Sequence, residues 1–368
     1  MKTLFKAIAL IFILSVVGIP QANRGITIQG HIRDAHTGAP LLGVNVFLAH
    51  TTLGAASDEK GNYTIKNVPP GLYRIVFSYV GYEKKVLVVK ASLEGDHISV
   101  MNVALNAKPV ELTDVVIEGE NSEWRKNIKR FTRIFLGDTY NSHECKILNP
   151  EVIDVKVNPE TDEITASTDS LIIVENRALG YRIEVLLKKF SWESDDEGAY
   201  TVLPHFIEMK PSNINEYKKW RENRYETYVN SYRYFLSSLV LNKLRGTHFH
   251  MYISDVNSRF NSNSINMRTS IPRRSLDSQS PVEINASDIE SVLIDSVNYI
   301  KRFLLGKFLK VTYGTSPDAP ATYIKFKYNY ADIDSSGNDM TPLGLIMDGF
   351  WGTMRIADSL PFDYRPRR

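Results

Sequence analysis

The chain has 368 residues, 43% hydrophobic and 23% charged, a globular composition with room for two or three domains of about 100–200 residues each. Its formal net charge is +2, and Lys2 and Lys6 lie in a 22-residue leader without Asp or Glu. The remainder is neutral, which excludes a global electrostatic footprint for nucleic acid.

The leader, "MKTLFKAIALIFILSVVGIPQANRG", puts two lysines before the apolar run Ala7 to Val17. The run is shorter than the ~20 residues of a membrane span, so residues 1–22 are expected to be a signal peptide. An uncleaved anchor is the alternative. The rest of the chain is then expected to be exported, in the periplasm or at the outer membrane of a Gram-negative bacterium. The single cysteine, Cys145, cannot form an internal disulfide and is far from the leader. His143 stands two residues away, but sequence neighbours seldom form a working Cys–His dyad, and an ordinary semi-buried thiol is the alternative.

From residue 26 to 107 the pattern is β. "ITIQGHI" sets Ile26, Ile28, Gly30 and Ile32 on one face, and "VNVFL" does so with Val44, Val46 and Leu48, the alternation of half-buried strands. "DAHTGAP", "DEKGN", "NVPPGL" and "YVGY" punctuate the run at short intervals, as in an all-β sandwich. "YRIVFSYV" reads as a central strand with Tyr73, Ile75, Phe77 and Tyr79 on one face. The stretch from Gly30 to Val89 resembles the carboxypeptidase-like regulatory domain, a transthyretin-like sandwich. The matching residues are Gly30, Asp34, Thr37, Gly38, Pro40, Gly43, Val44, Val46, Asp58, Gly61, Tyr63, Pro70, Gly71, Tyr73, Ser78, Gly81 and Tyr82. Ser57 stands where Thr is usual. The resemblance implies a fold and a structural role, not an activity.

"NAKPVELTDVVIEGE", residues 106 to 120, is similar to the segment that leads from this sandwich into the plug of TonB-dependent transporters; a last strand or an extended linker is the alternative. The 248 residues beyond it lack the repeated ~10-residue strands of a transporter barrel. Residues 108–123 are taken as a linker. In "EWRKNIKRFTRIFLGDT", Trp124, Ile128, Phe131 and Phe135 fall at helical spacing. The five basic residues between 125 and 133 are either a solvated face or a peripheral membrane contact through residues 124–135.

Residues 147 to 209 return to strands, with turns at "NPETDE" and "SDDEGA". A long helix follows over "NINEYKKWRENRYETYVNSYRYFLSSLVLNKLRG". Its stripe runs through Tyr217, Trp220, Arg224, Tyr228, Ser231, Phe235 and Leu239, with Gly246 as the stop. Strands resume at "THFHMYI", "GKFLKVTYG" and "ATYIKFKYNY", around an Asn- and Ser-rich insertion at 254–290. The runs Trp220 to Leu239 and "GFWGTMRIADSLPFDYRP" resemble the C-terminal part of uncharacterised two-domain exported proteins. Residues 124–368 are therefore expected to form a C-terminal α+β domain of unknown function.

A zinc carboxypeptidase needs a His-x-x-Glu pair and a distant His. Among eight histidines only His205, with Glu208, has that spacing, and the family's catalytic unit precedes its sandwich. His248 and His250 share one strand face and with His205 are weak metal candidates; no cofactor is expected. "DIDSSGND", residues 332 to 339, lacks the closing Glu of a calcium loop and reads as a hairpin loop. Arg224, between Trp220 and Tyr228, needs a partner if buried; Glu208 and Glu226 are the candidates, though Glu226 faces elsewhere on the helix. These residues form either a structural salt bridge or a glycan- or anion-binding cleft of Trp220, Arg224, Tyr228 and Glu208.

The expected architecture is mainly β: an N-terminal Ig-like or transthyretin-like sandwich, then an antiparallel-sheet α+β domain with a long helix. The preferred function is a non-catalytic exported accessory or scaffold that binds another envelope protein, such as an outer-membrane transporter or assembly component, through the sandwich. A glycan- or peptide-binding protein, or a hydrolase with its site on the C-terminal domain, is the alternative.

Overall fold

The computed structural model describes residues 25–92, 98–108, 122–194, 197–254, 282–296, 299–316, 318–341 and 344–366. The expected leader, the segment 109–121 that holds most of the linker, and most of the 254–290 insertion lie outside the described residues.

The N-terminal unit is a sandwich of two sheets. In one, Ile26–Asp34 lies between Asn62–Val68 and the strands Ile98–Val100 and Val103–Leu105, which run parallel to it. In the other the order is Gly54–Ala56, Asn45–Leu48, Gly71–Ser78, Lys85–Ala91. The alternating residues meet between the sheets: Ile26, Ile28, Ile32, Val44, Val46, Tyr63, Ile65, Ile75 and Phe77 share one core. The motif residues have physical tasks. Asp34 accepts from the backbone N–H of Thr37 (2.7 Å) and His36 (2.8 Å) and from the Tyr82 hydroxyl (2.8 Å), joining the first turn to the loop that follows the strand Gly71–Ser78. Those bonds, from Thr37 first and then Tyr82, hold its carboxyl down at about 2. Ser57 supplies the hydroxyl expected of Thr: it accepts from Val44 N–H at 2.9 Å and donates to Leu41 C=O at 2.5 Å.

The C-terminal part holds a six-stranded sheet whose spine is the hairpin Tyr181–Ser194 and Glu197–Glu208, a five-stranded sheet around Phe308–Tyr313 and a three-stranded sheet around Ile300–Leu304. The helix Ser122–Leu136 packs Ile128, Phe131, Ile134 and Phe135 into the six-stranded sheet's core. Its Arg125, Lys126, Lys129 and Arg133 are exposed, and Arg130 pairs with Asp162 at 2.9 Å. No helix among the described residues is long and apolar enough to cross a membrane.

The long helical stripe is divided. Ile214–Val229 ends at Asn230, and a second helix, Tyr232–Val240, begins with Ser231 as its cap. The Ser231 backbone is extended and its hydroxyl accepts from Tyr234 N–H at 3.1 Å, the geometry of a helix cap. Ser231 is therefore a helix start and not a stripe residue.

Candidate functional site

Trp220, Arg224 and Glu208 are engaged with one another or with backbone carbonyls of the second domain. The Arg224 guanidinium donates to the carbonyls of Leu179 (2.6 Å) and Gly180 (3.0 Å) and to Glu208 (3.0 Å), and lies 3.9 Å over the Tyr181 ring. Glu208 is thus its carboxylate partner. Trp220 donates to Arg177 C=O at 2.7 Å. Tyr228 is buried one turn on, against Tyr234 and Tyr364. The geometry is that of a clamp between helix and hairpin.

The three histidines of the metal reading are not brought together. His250 lies on Phe249–Ser254 of the five-stranded sheet, 3.0 Å from Glu283, and His248 packs against Tyr313. His205 belongs to the six-stranded sheet, where it stacks on Phe47 of the sandwich (ring centroids 4.8 Å, 9° between planes) and lies 3.3 Å from Glu184. Asn45 of the sandwich donates to the same carboxylate at 2.6 Å. Burial opposes ionisation of Glu184, but the bonds from His205 and Asn45 outweigh it and hold the carboxyl below its ordinary range.

His205 therefore marks the junction between the two units. Phe47, Ala49 and Val76, on the outer face of the sandwich sheet, share a buried cluster with Leu186 and Leu203 of the long hairpin. The strand Glu197–Glu208 pairs with Tyr181–Ser194, and sandwich residues close on it from the other side. His50 N–H donates to Pro204 C=O at 2.6 Å, Phe206 N–H donates to Thr51 C=O at 3.0 Å, and Thr51 bridges His205 in parallel. The sandwich so covers a sheet edge that would otherwise leave backbone groups unpaired. The C-terminal segment adds a third strap: Phe362 N–H donates to His50 C=O at 2.6 Å, and Asp363 accepts from both the backbone and the hydroxyl of Thr52.

Beside this junction lies a cleft of about 300 Å³. The sandwich contributes residues 49–51, 53, 69–74 and 88, and the second domain contributes residues 334, 336, 338–340, 362, 363 and 365. The second wall is built on Arg233, only 5% exposed. Its five N–H groups all go to carbonyls: Nε to Ser336, Nη1 to Leu360 and Pro361, and Nη2 to Phe362 and Tyr364, at 2.7 to 3.4 Å. Burial lowers its pKa from the ordinary value. Gly337 packs against the same turn: at φ +81°, a Cβ there would sit 2.0 Å from Arg233 O. The loop itself is the hairpin turn expected of "DIDSSGND", with Asp334 accepting from Ser336 N–H (2.8 Å) and Asn338 N–H (2.9 Å). Asp339 sits deeper, and burial pushes its carboxyl up to about 6 against opposing backbone bonds. Across the cleft, burial and the Arg74 charge hold His50 down at about 4.

Sequence reasoning selected Arg224 and missed Arg233, whose nearest signal is its position in the apolar run "YRYFLSSL" directly after the Ser231 cap. It also missed the junction. There the signal is apolar residues out of phase with the sandwich core, Phe47 between Val46 and Leu48, and Val76 between Ile75 and Phe77.

Residues 28–117 match the CarboxypepD_reg-like domain, over about a quarter of the chain. The TonB-dependent receptor SusC of Bacteroides thetaiotaomicron is 30% identical over 116 residues, 32% of this chain and 10% of the receptor. A TonB-dependent receptor of Formosa agariphila is 29% identical over 122 residues, 33% of this chain and 11% of its own. The chain spans about a tenth of the length of these curated relatives. A crystal structure of a DUF3823 family protein from Bacteroides ovatus aligns with 88% of this chain and 98% of its own at 9% identity. The TM-score is 0.18. The motifs, the two-sheet core and the family match agree that the N-terminal unit is a CarboxypepD_reg-like domain.

Proposed function

We propose that this protein is a non-catalytic, exported accessory of a Gram-negative envelope that holds a partner protein by its sandwich. The observation that carries the reading is the strand Ile98–Val100, at the edge of the sheet that faces away from the second domain. Ile98 and Val100 are two residues apart, so they point to one side, and they are 54% and 62% exposed. Paired exposed apolar side chains on an edge strand are a docking feature. The opposite sheet is taken up by the junction with the second domain, which fixes how that edge is presented. The similarity of residues 28–117 to a region of TonB-dependent receptors supports an outer-membrane transporter or assembly component as the partner class.

The test is crosslinking and affinity capture of the tagged full chain from native envelopes, compared with an Ile98→Lys/Val100→Lys variant and with Arg224→Ala. The expected result is one outer-membrane barrel or assembly protein, retained by Arg224→Ala and lost from the double variant. Equal capture by the double variant, or the free protein alone in the periplasmic fraction, overturns the reading.

A further inference from the structure

Five charged side chains line the cleft between the sandwich and the second domain: Arg74, Asp334, Asp339, Asp363 and Arg365. Arg74 and Arg365 are exposed and the three aspartates partly buried. Opposite charges that line one cleft can pair across it. Here they do not. Among the described residues, no two of the five make an ion pair of 4.0 Å or less. Each carboxylate is held in place by backbone or hydroxyl groups: Asp334 by its own turn, Asp339 by Thr341 N–H at 2.9 Å, and Asp363 by Thr52. Arg365 donates to the carbonyls of Phe362 and Tyr364 and to the Ser336 hydroxyl, and to no carboxylate. The Arg74 guanidinium makes no hydrogen bond within the described residues.

Between these charges the walls are apolar. Leu72 and Val88 project from neighbouring strands of the sandwich, with Pro70 beside them and Met340 opposite. Leu72 and Val88 are about half exposed or more. The lining therefore offers fixed acceptors on the second-domain side, a free guanidinium on the sandwich side, and an apolar floor. A ligand that satisfies all three has an ammonium group, a carboxylate and an apolar body between them. A guanidinium takes a carboxylate in a two-bond fork, and fixed carboxylates take the three donors of an ammonium. The volume, about 300 Å³, is at the lower end for small-ligand pockets. We infer that the interdomain cleft binds a short zwitterionic peptide with an apolar side chain, its carboxylate on Arg74 and its ammonium toward Asp339 and Asp334. The site is separate from the Ile98–Val100 edge, so each can stand without the other.

The test is calorimetric titration of the full chain at neutral pH with the dipeptide Leu-Leu, its N-acetyl form, its C-terminal amide and, as a neutral comparison, maltotriose. The free dipeptide is expected to bind, with about a tenfold loss on blocking either end, as for one charge-assisted contact. Arg74→Gln is expected to weaken the free dipeptide about tenfold and to leave the amide unchanged. Asp339→Asn is expected to do the same for the ammonium end, leaving the acetylated form unchanged. Circular dichroism and thermal melting confirm that both variants are folded. The proposal is overturned if Leu-Leu does not bind, if the blocked forms bind equally, if both variants bind as the parent does, or if maltotriose alone binds.

Discussion

Replacing Arg233 by methionine keeps much of the side-chain volume but removes every donor that holds the second wall of the cleft. Five N–H groups meet five carbonyls on Ser336, Leu360, Pro361, Phe362 and Tyr364. Hydrogen bonds to a charged group contribute roughly 1.5–3 kcal/mol each, so the gross loss is about 8–15 kcal/mol. Against this stands the desolvation of the guanidinium, several kcal/mol, which the variant no longer carries. Four of the five bonds are only part-buried, so water can replace them when the segment loosens. The net destabilisation is expected at about 3–5 kcal/mol, a large share of the ~5–15 kcal/mol that holds a typical domain. Urea unfolding measures the total, and hydrogen exchange locates it. The N–H groups of Tyr364 and Gly337, bonded inside this wall, and of Phe362, bonded across to His50, should exchange faster, while those of the sandwich core keep their protection. Arg233→Lys, with three donors, should fall between the two. A loss below about 1 kcal/mol with unchanged exchange at Phe362 and Tyr364 would refute the account of Arg233 as the anchor.

Phe47→Ala removes a fully buried ring from the junction and its stack on His205, at an expected cost of about 3–5 kcal/mol. Calorimetry should then resolve separate melting of the sandwich and the second domain. Gly54→Ala would place a Cβ 2.8 Å from His205 Nε2 and 3.0 Å from Val46 O; overpacking of about 1–3 kcal/mol is expected by denaturant titration. Asp339, raised from 3.8 to about 6 by burial, keeps its proton in the folded chain over a range where the unfolded chain has released it. Its contribution is therefore present at pH 4 and lost as pH rises through 6, by up to about 3 kcal/mol. Asp339→Asn should flatten that part of the stability–pH curve and be the more stable protein at pH 7.

Local chemistry made the sandwich legible. Asp34 reaches Thr37 three residues on, Ser57 reaches Val44, and the Asp58 turn closes on Asn62 at 2.8 Å, so the residues that define the fold are also those that punctuate the sequence. The helical stripe misled at one point because Ser231 keeps the right spacing for a helix face while its hydroxyl starts a new one. Periodicity reports which side a residue is on and says nothing of whether the backbone between is continuous. Arg224 drew attention because Trp220 and Tyr228 flank it at helical steps, yet its partners are the carbonyls of Leu179 and Gly180. Carbonyl positions leave no mark in a sequence.

The junction and the cleft were hidden for a different reason. Phe47 and Val76 interrupt strict alternation in strands whose other face already fills the sandwich core. For a sandwich with one wet face, such residues are expected to be polar. Their apolar character requires a second surface, and the long hairpin supplies it with Leu186 and Leu203. Where that apolar contact ends, the same sheet face changes to Leu72, Arg74 and Val88, and the opposing wall changes to a turn and a terminal segment pinned by one guanidinium. A junction whose task was only to hold two domains together would be expected to continue apolar, or to pair its charges, because either lowers the free energy of the closed state. This one opens instead onto carboxylates that are fixed in place and a guanidinium, Arg74, left without one, an arrangement suited to a bound molecule carrying both charges.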